Sequence, residues 1–214
     1  MLKFYFGKNT CSLATHIALK EVGANFELVE LDMRAGEQCG SEYLKINPKG
    51  RVPTLVTRKG VLTETPAILM YIAQSFPDAR LAPVEDAYLL AQIQAFNSYL
   101  CSTVHVAHAH GMRGARWADD PCAIANLKQK APQVIGDCFD LIERFMFVGP
   151  WVHGEHYTIS DPYFFTLGRW LKSDGVDPAR FPKLIAHRTR MYERPAVSVA
   201  LLNEDRLEEE LAPM

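Results

Sequence analysis

Leu2-Lys3-Phe4-Tyr5-Phe6-Gly7-Lys8-Asn9-Thr10-Cys11-Ser12-Leu13-Ala14-Thr15-His16-Ile17-Ala18-Leu19-Lys20 is the stretch that decides the architecture. The apolar run from Leu2 to Phe6 reads as a first β-strand, and Gly7-Lys8-Asn9-Thr10 as a short polar turn. After the turn, Leu13, Ile17 and Leu19, with Ala14 and Ala18, recur at helical spacing. Cys11 therefore sits at the mouth of a helix. Unpaired backbone N–H groups and the positive end of the helix dipole favour a thiolate there. Three residues on, where a dithiol redox protein carries its second cysteine, stands Ala14, so a reactive Cys11 needs its partner sulfur from outside the chain. On this stretch alone two assignments of Cys11 stand: an activated thiol, or a compact apolar residue at a strand–helix junction.

Size and composition narrow the class. The chain has 214 residues, 48% of them hydrophobic and 22% charged, which suits a globular protein large enough for two compact units. A net charge of −2 gives no expectation of nucleic acid or an anionic membrane as partner. No apolar run approaches the roughly 18–20 residues that cross a bilayer. The N-terminus enters a strand directly, without the basic start and apolar stretch of a signal peptide. Five cysteines, Cys11, Cys39, Cys101, Cys122 and Cys138, are widely spaced without a disulfide or metal pattern, so free thiols in a reducing cytoplasm are expected.

The two halves differ in periodicity. Phe26 to Leu31 alternates apolar and polar as a strand does, and Glu42 to Ile46 predicts a short helix closed by Asn47-Pro48. Thr54 to Thr57 and Val61 to Thr63 flank Arg58-Lys59-Gly60, a hairpin signal with glycine in the turn. Pro66 to Ala73 predicts a helix with proline in its first turn, completing a βαβ unit followed by ββα. Pro77 and Pro83 mark residues 77–85 as a linker. Beyond it strand signals largely vanish. Leu89, Ile93, Phe96, Leu100 and Val104 form one helical stripe, broken over 111–121. Further helices are predicted over 124–145, from about Thr158 where Thr158-Ile159-Ser160-Asp161 resembles a capping box, over 183–192, and from Pro195. The acidic tail, 204–210, reads as solvated.

This arrangement resembles the cytosolic glutathione S-transferase family over nearly the whole chain. Asn47-Pro48-Lys49-Gly50-Arg51-Val52-Pro53-Thr54-Leu55 resembles the stretch leading into that family's cis-proline. Leu62-Thr63-Glu64-Thr65-Pro66-Ala67-Ile68 resembles the segment that grips the γ-glutamyl end of glutathione. The Thr158–Asp161 cap and Glu193-Arg194-Pro195-Ala196-Val197 resemble features of its helical domain. Cys11-Ser12-Leu13 together with His105 most resembles the bacterial beta class. Three positions depart from that class: Val106 replaces the lysine after the histidine, Thr103 replaces an acidic residue two before it, and the loop after the second strand offers only Arg34.

The resemblance implies an α/β thioredoxin-like, glutathione-binding domain over 1–76 and an all-α domain over 86–214 that contributes the electrophile site. It implies a homodimer, glutathione as co-substrate, and conjugation to small electrophiles or thiol–disulfide exchange, with Cys11 catalytic. Ser12, Val52, Pro53, Glu64, Thr65 and His105 are the expected contacts to glutathione. A cis Val52-Pro53 bond would turn the Val52 N–H and C=O outward, able to pair like a strand edge with an extended peptide. The Thr65 hydroxyl and amide at a helix start can hold a carboxylate, and Glu64 can meet an ammonium group. Glu64-Thr65-Pro66 also reads simply as a favourably charged helix start. Tyr5, flanked by Phe4 and Phe6, is assigned to core packing. Cys101, His105 and His108 share a helix face. They lack a fourth ligand and a supporting shell, so no metal is expected and a polar face lining a ligand cleft is preferred. A non-catalytic scaffold that keeps the fold is the alternative function.

Overall fold

The computed structural model describes residues 1–204. The chain divides into two compact units: Met1–Asp86 together with the segment from Arg190 onward, and Ala87–Thr189.

The first unit is built on a four-stranded sheet of order β2-β1-β3-β4. Strand β1 (Leu2–Phe6) lies inside the sheet, and Phe4, Tyr5 and Phe6 are all buried. That double-sided burial is why its sequence is a continuous apolar run. Strand β2 (Phe26–Glu30) runs parallel to it at the edge, where half-exposed alternation suffices. Strand β3 (Thr54–Thr57) is antiparallel to β1, and β4 (Gly60–Thr63) is antiparallel to β3. Their loop is Arg58-Lys59, and Gly60, expected in the turn, instead opens β4 with φ of 141°. Helix α1 (Ser12–Glu21) connects β1 to β2, with every residue from Ser12 to Leu19 buried. A short helix α2 (Ser41–Ile46) and helix α3 (Thr65–Ser75), with Pro66 in its first turn, complete the ββα half.

The second unit is helical. Helix α4 (Ala87–Tyr99) passes through a π-helical turn over Leu100–Val104 into α5 (His105–Met112). Ile93, Phe96, Leu100 and Val104 of the expected stripe are buried, whereas Leu89 at the helix start is exposed. The break over 111–121 is present, and Asp120 accepts the amides of Cys122 and Ala123 to cap α6 (Pro121–Leu141). Helix α7 (Ser160–Gly168) and helix α8 (Pro182–Tyr192) follow. The capping box ahead of α7 forms: the Thr158 amide donates to Asp161 Oδ2 at 2.6 Å and the Ser160 amide to Thr158 Oγ1 at 3.3 Å. Asp161 is fully buried and also accepts the Val152 amide at 2.9 Å, with His187 Nε2 at 3.1 Å. A buried carboxylate is tolerated because each oxygen is hydrogen-bonded.

Two sequence expectations are revised. Helix α9 (Pro195–Asn203), assigned with all of 86–214 to the helical domain, packs on α1 of the first unit. The reason is apolar burial: Val197, Ala200 and Leu201 are covered there. The Arg194 guanidinium fixes the start of α9 by forking onto Glu21, at 2.5 and 2.9 Å. Glu204, the first residue of the tail predicted to be solvated, is only 1% exposed; residues 205–210 lie outside the described residues.

His16 on α1 is fully buried among Phe4, Phe6 and Phe26, with ring centroids at 5.8, 5.7 and 6.0 Å. Asn203 Nδ2 lies 3.3 Å from its Nε2. Burial, helped by the nearby Lys20 charge, lowers its pKa to about 4. The folded chain thus keeps His16 neutral over a range in which the unfolded chain binds a proton. Stability therefore falls as pH drops from about 6.5 towards about 4, by roughly 2–3 kcal/mol from this group. Burial lowers the His153 pKa in the same direction. Urea unfolding at pH 7 and pH 4.5 measures the loss, and His16→Leu is expected to flatten that part of the profile.

Candidate active site

Strand directions gather the site at one edge of the sheet. Because β3 is antiparallel to β1, with Tyr5 opposite Thr54, the end of β1 lies beside the start of β3. Thr54 in turn pairs with Thr63, so the end of β4 arrives at the same edge. The segments 7–11, 52–53 and 64–65 extend from these three strand ends.

The loop after β1 is internally braced. Asn9 adopts a left-handed φ of 56°, a conformation that asparagine tolerates better than most residues. The Gly7 amide donates to Ser12 Oγ at 3.2 Å, and the Thr10 and Ser12 hydroxyls lie 2.8 and 3.1 Å from the Gly7 carbonyl. Those hydroxyls are 2.6 Å apart, so one donates to the other and the other donates to Gly7. The Ser12 amide donates to Thr10 Oγ1 at 3.2 Å. Ser12 is fully buried, and its amide and hydroxyl both shape the loop.

Cys11 occupies the N-cap position of α1 and is 9% exposed. Its Sγ lies 3.5 Å from the Val52 carbonyl as a donor, a contact in which the sulfur carries its proton. The Val52-Pro53 bond is cis. Val52 and Pro53 are buried, and the Val52 N–H takes no hydrogen-bond partner among the described residues. An unpaired amide beside a thiol is the arrangement that an incoming peptide carbonyl can complete.

Residues that sequence reasoning did not single out hold this segment in place. Tyr43 Oη donates to the Arg51 carbonyl at 2.7 Å and lies 2.7 Å from Thr54 Oγ1. Asn47 Nδ2 donates to the Arg51 carbonyl at 2.8 Å and to Thr54 Oγ1 at 2.9 Å. Burial raises the Tyr43 pKa, so it remains a donor across the physiological range. Asn47 stands in the quoted stretch before Pro53, but nothing local marks its side chain as a brace. The two residues are brought to Arg51 and Thr54 by the fold. Tyr5 packs with Tyr43, Leu31 and Val52 in a buried cluster, matching its assignment to the core.

At the start of α3, Glu64 has a left-handed φ of 74° and an exposed side chain, while Thr65 is 4% exposed. Lys49 Nζ bridges Glu64 Oε1 at 2.6 Å and Thr63 Oγ1 at 2.9 Å. The carboxylate is thus already on a cation, which a ligand's ammonium group can replace. The first-turn amides of α3 lack intrahelical acceptors and can receive a carboxylate.

His105 belongs to the second unit, half-buried at the start of α5 with its ring 5.4 Å from Trp170. His108, one turn on, is buried against Phe139 and Trp170 and contacts the Asp174 carboxylate. His110 turns to Trp117, at 4.4 Å. His105 and His108 share Trp170 while His110 packs on Trp117, and no group of three or more His, Cys, Asp or Glu among the described residues is placed to hold a metal ion.

With this geometry in hand, similarity to known proteins is direct. Residues 2–74 match the family described as Glutathione S-transferase, N-terminal domain. The chain is 34% identical over 207 residues to "Glutathione S-transferase GstA" of Escherichia coli O157:H7, covering 95% of this chain and 98% of that protein. Its fold matches a glutathione transferase homologue from Sulfitobacter with bound glutathione, at TM-score 0.92 and 40% identity, covering 97% and 99% of the two chains. It also matches the bacterial beta class glutathione S-transferase of Sphingomonas chungbukensis, at TM-score 0.83 and 32% identity over 94% and 98%. The chain belongs to the glutathione S-transferase family, and the structures it resembles include the bacterial beta class.

Proposed function

We propose that the protein is a glutathione transferase that lays the tripeptide extended along Val52 and conjugates its sulfur to small electrophiles. The observation that carries this reading is the unpaired Val52 amide beside Cys11 Sγ, which lies 3.5 Å from the Val52 carbonyl. The cysteinyl unit of glutathione pairs with Val52 in the manner of an added strand. Its γ-glutamyl carboxylate meets Thr65 and the α3 N-terminus, and its ammonium group takes the place of Lys49 on Glu64. Lys49 keeps its bond to Thr63 as it yields.

In conjugation the glutathione thiol loses its proton, the thiolate forms a C–S bond to the electrophile, and the leaving group departs with the bonding pair. Cys11 supports a second reaction of the same site. Its thiolate attacks one sulfur of a disulfide RS–SR′, forming a Cys11–S–SR bond and releasing R′S⁻. Glutathione thiolate attacks Cys11 Sγ and releases RS⁻, and a second glutathione thiolate attacks the glutathione sulfur of the resulting mixed disulfide, releasing glutathione disulfide and regenerating the Cys11 thiolate. The relatives that match at 34% and 29% identity over 95% of this chain carry transferase names, and nothing favours the non-catalytic scaffold. On family resemblance we assign a homodimer and a detoxification role. A cytoplasmic location fits five free cysteines. No helix among the described residues is long and apolar enough to cross a membrane.

Retention on immobilised glutathione and turnover of an aryl halide test the reading, and a wild-type protein that does neither would refute it. Glu64→Gln is expected to raise KM for glutathione about tenfold, since a hydrogen bond to a charged group is worth roughly 1.5–3 kcal/mol and this one is exposed. An unchanged KM would remove Glu64 from the ammonium site. Tyr43→Phe leaves the Arg51 carbonyl and Thr54 hydroxyl with fewer partners and is expected to cost about 1–2 kcal/mol of stability by urea unfolding. Cys11→Ala is expected to lower disulfide exchange by about a hundredfold or more, as loss of a covalent nucleophile does. Exchange at the wild-type rate would show that Cys11 is not its nucleophile.

A further inference from the structure

We infer that Glu204 is a positioning residue for Cys11, so that the end of the last helix sets the reactivity of the thiol at the start of the first. This rests on the assignment of thiol chemistry to Cys11. Glu204 is the C-cap of α9 and is 1% exposed, although a carboxylate is costly to bury without hydrogen bonds. Its Oε2 accepts the Asn9 amide at 3.2 Å, a contact spanning 195 residues of sequence. Asn9 is the left-handed residue of the loop, two before Cys11, with φ of 56°. The bond holds the amide of the least favourable backbone conformation in that loop. The side chains of Thr10 and Ser12 brace the same loop from within through Gly7. Glu204 braces it from outside.

The anchor can carry load because α9 is itself fixed to α1. Arg194 forks onto Glu21 at one end, and Asn203 reaches His16 at the other. Releasing Asn9 frees the turn to reopen, which moves Cys11 Sγ away from the helix mouth and from the Val52 carbonyl. Substrate contacts along Val52 and Glu64 stay in place. The expected signature is therefore a change in thiol behaviour and turnover with little change in glutathione binding.

The test follows iodoacetamide alkylation of the Cys11-containing peptide by mass spectrometry across pH, with kcat and KM measured alongside, in the full chain. Glu204→Ala is expected to raise the midpoint of the alkylation profile by about one pH unit, a roughly tenfold slower reaction at any fixed pH below it. In the same variant kcat falls while KM for glutathione stays within about twofold. Glu204→Gln, whose amide oxygen accepts the same N–H, restores the wild-type profile. Arg194→Met, which loosens α9 but keeps the Glu204 carboxylate, lowers the thermal midpoint and moves the profile in the same direction as Glu204→Ala, by less. A Glu204→Ala protein with wild-type profile and kcat overturns the inference. If that variant does not fold, hydrogen exchange of the Asn9 amide in the unmodified protein decides: protection of about a hundredfold or more supports it, and exchange at the free-peptide rate overturns it. Failure of the transferase reading looks different, because wild-type protein would then turn over no electrophile whatever the Glu204 variants show.

Discussion

Antiparallel pairing of β1 with β3, in the register that sets Tyr5 opposite Thr54, is the constraint from which the site follows. It returns the chain to the edge at which β1 ended, so that a thiol at residue 11 and a peptide group at residue 52 come within 3.5 Å. A register slip of one residue would turn every side chain of β3 to the opposite face and bury the wrong set. Thr54 is held against such a slip by Tyr43 and Asn47, which bond its hydroxyl and the Arg51 carbonyl together. The same network therefore fixes the strand and presents the Val52 amide.

Much of this was legible in the sequence because it depends on short-range pattern. The unbroken apolar run of β1 signalled an interior strand, Pro66 marked the start of α3, and Thr158 with Asp161 marked the cap of α7. Long helices were legible from apolar spacing, although their ends moved by a few residues and a π-helical turn at Leu100–Val104 interrupts the α4–α5 run. What the sequence hid depends on long-range contacts. Nothing in Pro195 to Asn203 says that its apolar side is covered by α1, nor in Glu204 that it is buried. Ser12 is a local exception: its hydroxyl is engaged by Gly7 and Thr10, close by in the same turn, which residue types alone do not announce. Lys49 stands fifteen residues from the Glu64 carboxylate that it pairs with, and local sequence does not connect them.

Buried polar groups mark where the fold is specified most tightly. In the first unit the buried His16 takes the side chain of Asn203, and half-buried Arg194 adds its fork onto Glu21, fixing α9 to α1. In the second, Asp161 ties the turn before α7 to Val152 and to His187 of α8. Each is a place where apolar packing alone would leave the helix free to slide along its neighbour. A satisfied hydrogen bond selects one position, and an unsatisfied buried group penalises the rest.

The central claim is that the cysteinyl unit of glutathione pairs with Val52 and delivers its sulfur beside Cys11. A crystal structure of the protein grown with glutathione tests it most directly. The account predicts the cysteinyl carbonyl on the Val52 amide and the ligand sulfur in contact with, or bonded to, Cys11 Sγ. Glutathione bound elsewhere, with the Val52 amide still unpaired, would contradict it.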